Sequence, residues 1–267
     1  MYSNVSVPKI DCDKIVEEIY NFIRKIVTEA HASGVVVGLS GGVDSSVVVT
    51  LCVNALGTKK VLGILMPTNF TPKEDIEDAQ ELANQLGISS KSVNIQSVCD
   101  RLFEDLGSIQ DDSGQKMARA NVYARIRMII LYYYANLQNY LVVGTGDRSE
   151  ALIGFFTKYG DGGVDFLPII HLLKTQVRGL AEFLGLPYKI SQKPSSPQLY
   201  PGHKATDEIP LDYDKLDPVL VGLFDHKLPT REVSHLTSIS LEKVEEVLHC
   251  FNVSKHKRTF PPMVESV

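Results

Sequence analysis

The sequence predicts an α/β protein built on an open parallel sheet with helices on both faces. Apolar runs without alternation, such as VVVGL and VLGILM, are typical of strands buried on both sides. These runs alternate with segments whose apolar residues recur at helical spacing and which end at a glycine. Strand–helix alternation of this kind favours parallel strands joined by crossover helices.

The predicted elements follow one another without an internal repeat or linker. Strands are expected over 35–39, 61–66, 91–95 and 140–146, and helices over 13–31, 47–56, 115–138 and 174–185, with another ending at residue 106. A further helix should begin at the TPKE of residues 71–74, a capping box with proline at the first helical position, and end at Gly87. Residues 188–214 show little periodicity, which is typical of a functional or disordered loop.

Composition indicates a soluble globular protein. The 267 residues carry a net charge of −5, and 44% are hydrophobic, enough for one domain over residues 1–267. The acidic balance argues against a broad nucleic-acid surface, which needs clustered Lys and Arg. The four cysteines form no CxxC pair, and no apolar run reaches the ~18 residues that span a bilayer. The amino-terminal segment does not resemble a signal peptide, so a cytoplasmic protein without membrane partners is expected.

The segment SGGVDSS, residues 40–46, lies where a buried strand gives way to a helix. Ligands of open parallel sheets bind at the carboxyl ends of strands. Gly41 and Gly42 let the backbone approach a ligand, and the helix N-terminus presents free N–H groups to an anion. Together with the hydroxyls of Ser40, Ser45 and Ser46, this pattern predicts a phosphate-binding turn.

Asp44 decides which kind of phosphate turn this is. The segment has neither the lysine of a Walker A loop nor the spacing of a GxGxxG fingerprint. A carboxylate beside phosphates repels them unless a cation lies between, so Asp44 is interpreted as a Mg²⁺ ligand. The alternative is a glycine-rich turn whose Asp and Ser only cap the helix.

SGGVDSS resembles the pyrophosphate loop of the N-type ATP pyrophosphatases, and GTGDRSEALIGFFTKYGDGGVDFLPI, residues 144–169, resembles the signature of NAD synthetases. Further similarity covers residues 121–128, 172–181, 193–196, 207–208 and 256–258. The resemblance implies a Rossmann-like fold of the adenine nucleotide alpha hydrolase type. It also implies the form without a glutaminase domain, acting as a homodimer.

The implied reaction is the last step of NAD biosynthesis. ATP would adenylate the nicotinate carboxylate of deamido-NAD, releasing pyrophosphate, and ammonia would then displace AMP. The resemblance assigns ATP binding to Gly38, Leu39, Ser40, Gly41, Gly42, Val43, Asp44, Ser45, Thr145, Lys174 and Ser195. It assigns deamido-NAD binding to Arg125, Lys158, Asp165, His256 and Lys257. Catalysis falls to Asp44, Glu150, Lys174 and Asp165, with Mg²⁺ held by Asp44 and Glu150.

Physical arguments support these assignments separately. Glu150 follows the fourth strand by a short turn, which places it at the same sheet edge as Asp44. Lys174 would neutralise charge on the leaving pyrophosphate, and Asp165 is a candidate proton acceptor. The simpler alternatives are a first-turn acid favoured by the helix dipole for Glu150 and a surface lysine for Lys174.

One region departs from the family pattern. Extra residues precede Asp207 and Glu208, in the 195–212 loop expected to close over ATP. No adenine-stacking aromatic can be named, and Phe155 and Phe156 are expected in the core. Rival interpretations are a GMP synthetase, which would not explain FFTKYGDGGVD, a tRNA-thiolating enzyme, and a nucleotide sensor without catalysis.

Overall fold

The structure, a computed structural model, describes residues 4–107, 112–196, 200, 202 and 205–264, with the backbone alone for residues 112 and 113. Within these ranges four strands form one sheet in the order β3-β2-β1-β4. They are β1 Gly34–Gly38, β2 Val61–Leu65, β3 Ser89–Ser92 and β4 Tyr140–Val143. All neighbouring strands are parallel. The predicted fold class is therefore confirmed.

Helices connect and cover the strands. In chain order they are α1 Cys12–Glu29, α2 Val43–Leu56, α3 Lys73–Gln85, α4 Gln96–Leu106, α5 Asp112–Gln138, α6 Arg148–Ile153, α7 Lys174–Phe183, α8 Tyr188–Ser191, α9 Tyr213–Leu220, α10 Thr230–Thr237, α11 Leu241–Val253 and α12 Lys255–Arg258. A π-helical turn, Val221–Asp225, continues α9.

Successive residues of β1 point to opposite faces of the sheet, as a strand's period of two requires. Val35 and Val37 join a core with α1, α2, α3 and α7. Val36 joins a second core with α4 and α5. All three valines are fully buried, which explains why the strand has an apolar run without alternation.

A third core lies beyond the sheet. Residues of α9, α10 and α11 pack together with Ile153 of α6. The apolar spacing of Leu241, Val244 and Val247 is helical and fits the buried face of α11. No helix was predicted in this region, although the helical spacing of these apolar residues can be read in the sequence.

Two predicted strands have different bounds. The strand expected over 91–95 is Ser89–Ser92, an edge strand whose side chains are mostly exposed. The apolar residues that suggested 91–95 follow it, and Ile95 is buried in the core as α4 begins. The strand expected over 140–146 ends at Val143, and Gly144 instead donates to the carbonyl oxygen of Phe166 at 2.9 Å.

The capping box predicted at Thr71 is wrong. The helix begins at Lys73, and Pro72 takes the N-cap position rather than the first helical one. The Thr71 hydroxyl accepts a hydrogen bond from the Thr68 amide at 2.9 Å and does not cap the helix. A local turn thus competes for the side chain that the pattern assigned to the cap.

Candidate active site

The SGGVDSS turn joins β1 to α2 at the carboxyl edge of the sheet. Gly41 has φ +76°, a left-handed conformation that favours glycine. The hydroxyls of Ser45 and Ser46 both donate to the Gly42 carbonyl oxygen, at 3.1 and 2.8 Å. Ser45 Oγ also accepts from the Ser40 amide at 3.3 Å. These contacts hold the turn in shape, so Ser45 and Ser46 act inside the turn rather than as free donors to a ligand.

A second set of contacts fixes the turn from outside. A Cβ atom built on Gly41 would lie 2.2 Å from the carbonyl oxygen of Asp75 in α3. Lys193 Nζ donates to the Gly41 carbonyl oxygen at 3.3 Å and pairs with Asp75 and Asp78, at 2.5 and 2.7 Å. Lys189 pairs with Asp78 from the same side. The helix α3 therefore packs closely against the turn, a contact that no sequence pattern indicated.

A buried lysine with three carboxylates lies beside the turn. Lys174 is fully buried at the start of α7. Its Nζ donates to Asp44 Oδ2 at 2.8 Å and to Glu150 Oε1 at 2.9 Å. Asp147 Oδ2 lies 2.9 Å from the same nitrogen. The structure thus brings together Asp44, Glu150 and Lys174, as sequence analysis expected, and adds Asp147.

Asp147 could have been found in the sequence. It is the N-cap of α6 and forms a capping box, in which its Oδ1 accepts from the Glu150 amide at 2.9 Å. The pattern DRSE carries this signal. Glu150 also stabilises the start of α6, which was the simpler alternative for this residue, because its Oε2 accepts from the Asp147 amide. Its other oxygen, Oε1, accepts from Lys174.

Charge in this cluster is unbalanced. Burial would lower the pKa of Lys174, but the three carboxylates outweigh it and raise that pKa well above its ordinary value. Burial raises the pKa of Asp147 to about 6 and that of Glu150 well above its ordinary value, against the pull of Lys174. One ammonium facing three ionised carboxylates would leave negative charge in excess, which either a proton on Glu150 or a further cation would relieve.

A polar network holds Lys174 in place from behind. Asp217 of α9 accepts from the Ser149 hydroxyl at 2.6 Å and from the Thr175 amide at 2.9 Å. Ser149 Oγ in turn accepts from the Lys174 amide at 2.9 Å. Asp217 and Ser149 are fully buried. This network joins the starts of α6 and α7, and because its members are far apart in the chain, no sequence pattern pointed to it.

The cluster opens onto a cavity of about 610 Å³. Of the residues assigned to ATP or metal, those that line it are Gly38, Leu39, Ser40, Gly42, Val43, Asp44, Thr145, Glu150 and Ser195. Gly41, Ser45 and Lys174 lie behind this lining. Phe155 and Phe156, expected in the core, also line the cavity. Its size, and a mainly apolar wall that carries several polar groups, suit a nucleotide.

The residues assigned to deamido-NAD are more scattered. Lys257 lines the cavity and donates to the carbonyl oxygens of Gly154 and Phe156, both at 2.8 Å. Arg125 is exposed on α5 and donates to the Lys158 carbonyl oxygen. Asp165 accepts from the Val142 amide at 2.7 Å and from the Tyr132 hydroxyl at 3.0 Å.

The Asp165 carboxylate therefore holds its own segment against β4. His256 is exposed on α12. Arg125, Lys158, Asp165 and His256 do not line the main cavity, and their assignment to the dinucleotide stays a prediction.

Two carboxylates here fit Mg²⁺. Asp44 Oδ1 is buried and makes no hydrogen bond to the described residues. Among those residues, no group of three or more His, Cys, Asp and Glu side chains is arranged as a metal site. Mg²⁺ bound with ATP commonly takes only one or two carboxylates and completes its shell with phosphate and water. Asp44 and Glu150 meet that requirement.

Fold and site together define an α/β protein with a phosphate-binding turn beside a buried carboxylate–lysine cluster. The family model described as NAD synthase matches residues 15–261. An NH(3)-dependent NAD(+) synthetase of Hyperthermus butylicus is 46% identical over 254 residues, which are 95% of this chain and 91% of that protein. The chain belongs to the NAD synthase family.

Solved structures agree with this family. An NH3-dependent NAD synthetase from Campylobacter jejuni has a TM-score of 0.79 and 32% identity, over 96% of this chain and all of that one. An NMN synthetase from Francisella tularensis has a TM-score of 0.83 and 29% identity, over 96% of this chain and 99% of that one. The resemblance found in the sequence is confirmed. In the part of the chain that the structure describes, no helix has the length and apolar character needed to cross a membrane.

Proposed function

We propose that this chain catalyses the ATP-dependent amidation of deamido-NAD to NAD with ammonia, through an acyl-adenylate. The observation that carries the proposal is the cluster of Asp44, Glu150 and Lys174 beside the phosphate turn, in a chain this similar to ammonia-dependent NAD synthetases. A carboxylate resists attack by an amine because it is charged and resonance-stabilised. Adenylation removes the charge and supplies a leaving group.

The reaction has two balanced halves. In the first, a nicotinate carboxylate oxygen attacks the α-phosphorus of ATP, the bond from that phosphorus to the β-bridging oxygen breaks, and pyrophosphate leaves. In the second, the ammonia nitrogen attacks the carbonyl carbon, the bond from that carbon to the AMP oxygen breaks, and one proton is released. Holding the two reactants in line is the main contribution expected of the protein.

Each part of the site has a role in the first half. The N–H groups of the turn and of the α2 start bind phosphate oxygens. The Lys174 ammonium balances the negative charge that collects on pyrophosphate. Mg²⁺, held by Asp44 and Glu150, would supply further charge neutralisation there. Ser195 and Thr145, on the cavity wall, would contact the phosphates and the adenosine.

Recognition of the dinucleotide needs cations, because it carries a pyrophosphate and a carboxylate. We assign this to Arg125, Lys158, His256 and Lys257, with Asp165 as proton acceptor. Lys257 supports the assignment best, since its ammonium reaches the cavity at the 154–156 segment.

We further propose a cytoplasmic homodimer in which residues 1–267 act as one synthetase domain. Ile129, Tyr133 and Leu137 form a stripe at helical spacing on α5, exposed by 55%, 62% and 64%. Arg125 continues the same stripe by one turn. An apolar stripe of this length suits a second copy, which would also cover Arg125.

A second candidate substrate comes from the Francisella structure, which is named for NMN synthesis. The same chemistry on nicotinate mononucleotide would need only half of the dinucleotide site. Purified protein should therefore be given ATP, Mg²⁺ and ammonium chloride with either deamido-NAD or nicotinate mononucleotide, and the amide product should be quantified by chromatography.

The proposal expects NAD from deamido-NAD, a lower kcat/KM for the mononucleotide, and no product when glutamine replaces ammonium. Preference for the mononucleotide would contradict it, as would failure to form either amide.

A further inference from the structure

The cationic side chains of the main cavity differ in how far the protein itself uses their hydrogen-bond donors. Among the described residues that line this cavity, the cationic ones are Arg127, Lys193 and Lys257. Lys193 pairs with two carboxylates of α3 and donates to the Gly41 carbonyl oxygen. Lys257 donates to two carbonyl oxygens of the 154–156 segment. Both lysines therefore use most of their donors within the protein.

Arg127 of α5 uses far fewer of its donors. Its Nε donates to the Met66 carbonyl oxygen at 3.3 Å, and no other hydrogen bond or ion pair joins its guanidinium to the rest of the described chain. A guanidinium has five N–H donors in a planar fork, so the four on Nη1 and Nη2 remain available. These two atoms are not among the buried polar atoms that lack a partner, so both keep accessible surface in a residue that lines the cavity.

The fold places Arg127 at the sheet edge that carries the phosphate turn. Met66, which Arg127 contacts, directly follows β2. One turn further along α5, Leu131 packs at the end of β1, where a Cβ on Gly38 would lie 3.6 Å from its Cδ1. The end of α5 leads into the start of β4, so α5 runs against the strand direction. Arg127 therefore lies about 6 Å further than Leu131 towards the carboxyl edge.

The proposed reaction indicates which anion this fork would meet. The phosphates of ATP already have the N–H groups of the turn, Lys174 and Mg²⁺. Arg125, Lys158 and His256 do not line the cavity, so any contact they make with deamido-NAD lies outside it. The nicotinate carboxylate must enter the cavity, because it attacks the α-phosphorus. A carboxylate is also the planar, two-oxygen partner that a guanidinium fork binds best.

The electrostatics around Arg127 favour an anion as well. Burial lowers the pKa of its guanidinium, and the nearby Asp161 opposes this effect without outweighing it. Asp161 Oδ1 instead accepts from the Thr157 amide at 2.9 Å. An anion beside the guanidinium would stabilise its charged form. The guanidinium would in turn reduce the repulsion between the substrate carboxylate and the phosphates of ATP.

We propose that Arg127 binds the nicotinate carboxylate of deamido-NAD through Nη1 and Nη2 and thereby distinguishes the acid substrate from its amide product. The inference rests on the proposed function and adds a specificity-determining residue to those already assigned to deamido-NAD. NAD has an uncharged carboxamide in place of that carboxylate and is otherwise the same molecule. An ion pair at this position therefore discriminates between the two dinucleotides.

The test is the binding of deamido-NAD and of NAD, each titrated by calorimetry without ATP into wild-type and Arg127→Gln protein. Loss of a charged, bidentate pair predicts about a 10- to 100-fold rise in the Kd for deamido-NAD. The Kd for NAD should stay near its wild-type value, because the carboxamide forms no ion pair. The KM for ATP, measured by steady-state kinetics, should also be unchanged.

Arg119→Gln is the matched control. Arg119 is an exposed arginine on the same helix, it does not line the cavity, and its guanidinium carbon lies 4.3 Å from the centre of the Phe103 ring. Both Kd values should equal those of wild type. Arg127→Lys keeps the charge without the planar fork. It should lose part of the preference for deamido-NAD over NAD, and it provides the test if Arg127→Gln does not fold in urea titrations.

An unchanged preference for deamido-NAD in the Arg127 variants would overturn the inference. An equal rise in both Kd values would also overturn it, because Arg127 would then contact a group that the two dinucleotides share. A rise in the KM for ATP alone would assign Arg127 to ATP and contradict the carboxylate contact. Wild-type protein that forms no NAD from deamido-NAD would instead refute the proposed function.

Discussion

At the scale of the residue, Asp44 distinguishes this phosphate turn from one that binds phosphate alone. One of its oxygens contacts Lys174 and the other is buried without a hydrogen bond to the described residues. Burying an ionised carboxylate oxygen without a partner costs free energy of folding unless a cation binds to it. The proposed Mg²⁺ site follows from this imbalance.

We predict that Asp44→Asn lowers kcat/KM by at least about 100-fold, because it weakens a direct metal contact. It should also raise the Mg²⁺ concentration needed for half-maximal rate, measured by titration at fixed ATP. Asp13→Asn, which changes an acid in the first turn of α1, is the matched control and should behave as wild type. An Asp44→Asn protein with wild-type Mg²⁺ dependence would exclude Asp44 as a ligand.

Sequence patterns pointed to the candidate catalytic residues that lie beside recognisable turns. Asp44 and Glu150 each follow a strand end, and parallel strands bring such ends to one edge. Asp217 was not identified because its segment carries no motif, and Lys193 was not because only Ser195 was assigned a role within the similar segment 193–196. Lys193 is 152 positions from the Gly41 carbonyl that it contacts. Only the folded chain reveals such a pair.

At the scale of the element, close packing of α3 on the turn explains why Gly41 is glycine. Its φ of +76° and the Asp75 carbonyl oxygen both exclude a side chain. Gly57 has a similar φ of +84°, but a Cβ there would have nothing within 4 Å. Comparing alanine substitutions at the two positions therefore separates the cost of backbone strain from the cost of a steric clash.

We predict that Gly57→Ala lowers the free energy of unfolding by roughly 1–3 kcal/mol, because φ +84° with ψ 156° is a backbone conformation that essentially only glycine adopts. Gly41→Ala should lose about 1–3 kcal/mol more, because the turn or α3 must move. It should also raise the KM for ATP, which Gly57→Ala should not. Urea unfolding and ATP kinetics measure the two effects, and equal losses for both variants would contradict close packing at Gly41.

The ion pairs of α3 predict a pH effect. Burial alone would raise the pKa of Asp78, but Lys189 and Lys193 outweigh it and lower that pKa below its ordinary 3.8. A lowered acid pKa contributes stability that is fully present above the unfolded value and is lost as pH falls through the folded value. Asp78→Asn lacks that contribution at every pH.

Urea unfolding should therefore show a wild-type advantage over Asp78→Asn that is constant above about pH 5 and shrinks below about pH 4. Asp105→Asn is the control, because its pair with Arg101 is exposed and such pairs contribute little. An advantage that persists unchanged at pH 3 would show that charge on Asp78 is not its source.

The strands of the sheet and the helices that pack on it were predictable from the sequence. The helices α9, α10 and α11, which form the third core, were not predicted. The strand β1 is shifted by one residue from its expected range, and β2 starts as expected and ends one residue earlier. This close agreement follows from their unbroken apolar runs. The edge strand β3 was misplaced because its own residues are polar and the apolar ones follow it. The α3 start was misplaced because Thr71 bonds within its own turn.

At the scale of the whole molecule, the exposed apolar stripe of Ile129, Tyr133 and Leu137 on α5 is a surface that suits a partner. Its side chains lie on the helix that carries Arg125, a residue assigned to deamido-NAD. A homodimer through this surface would link substrate binding to assembly.

If the proposed homodimer forms through this stripe, Ile129→Glu should convert it to a monomer, measured by sedimentation velocity, because the substitution places a charge in the proposed apolar interface. Tyr188→Glu, at a residue exposed by 77% on α8, should leave assembly unchanged. Wild-type protein that sediments as a monomer at micromolar concentration would contradict the homodimer.

In the proposed reaction, the substrate carboxylate attacks the α-phosphorus of ATP. Deamido-NAD labelled with ¹⁸O in the nicotinate carboxylate should be converted with ATP and ammonium, and the products analysed by ³¹P NMR. We expect AMP to carry one ¹⁸O and pyrophosphate to carry none. Formation of ADP with label in inorganic phosphate would contradict it.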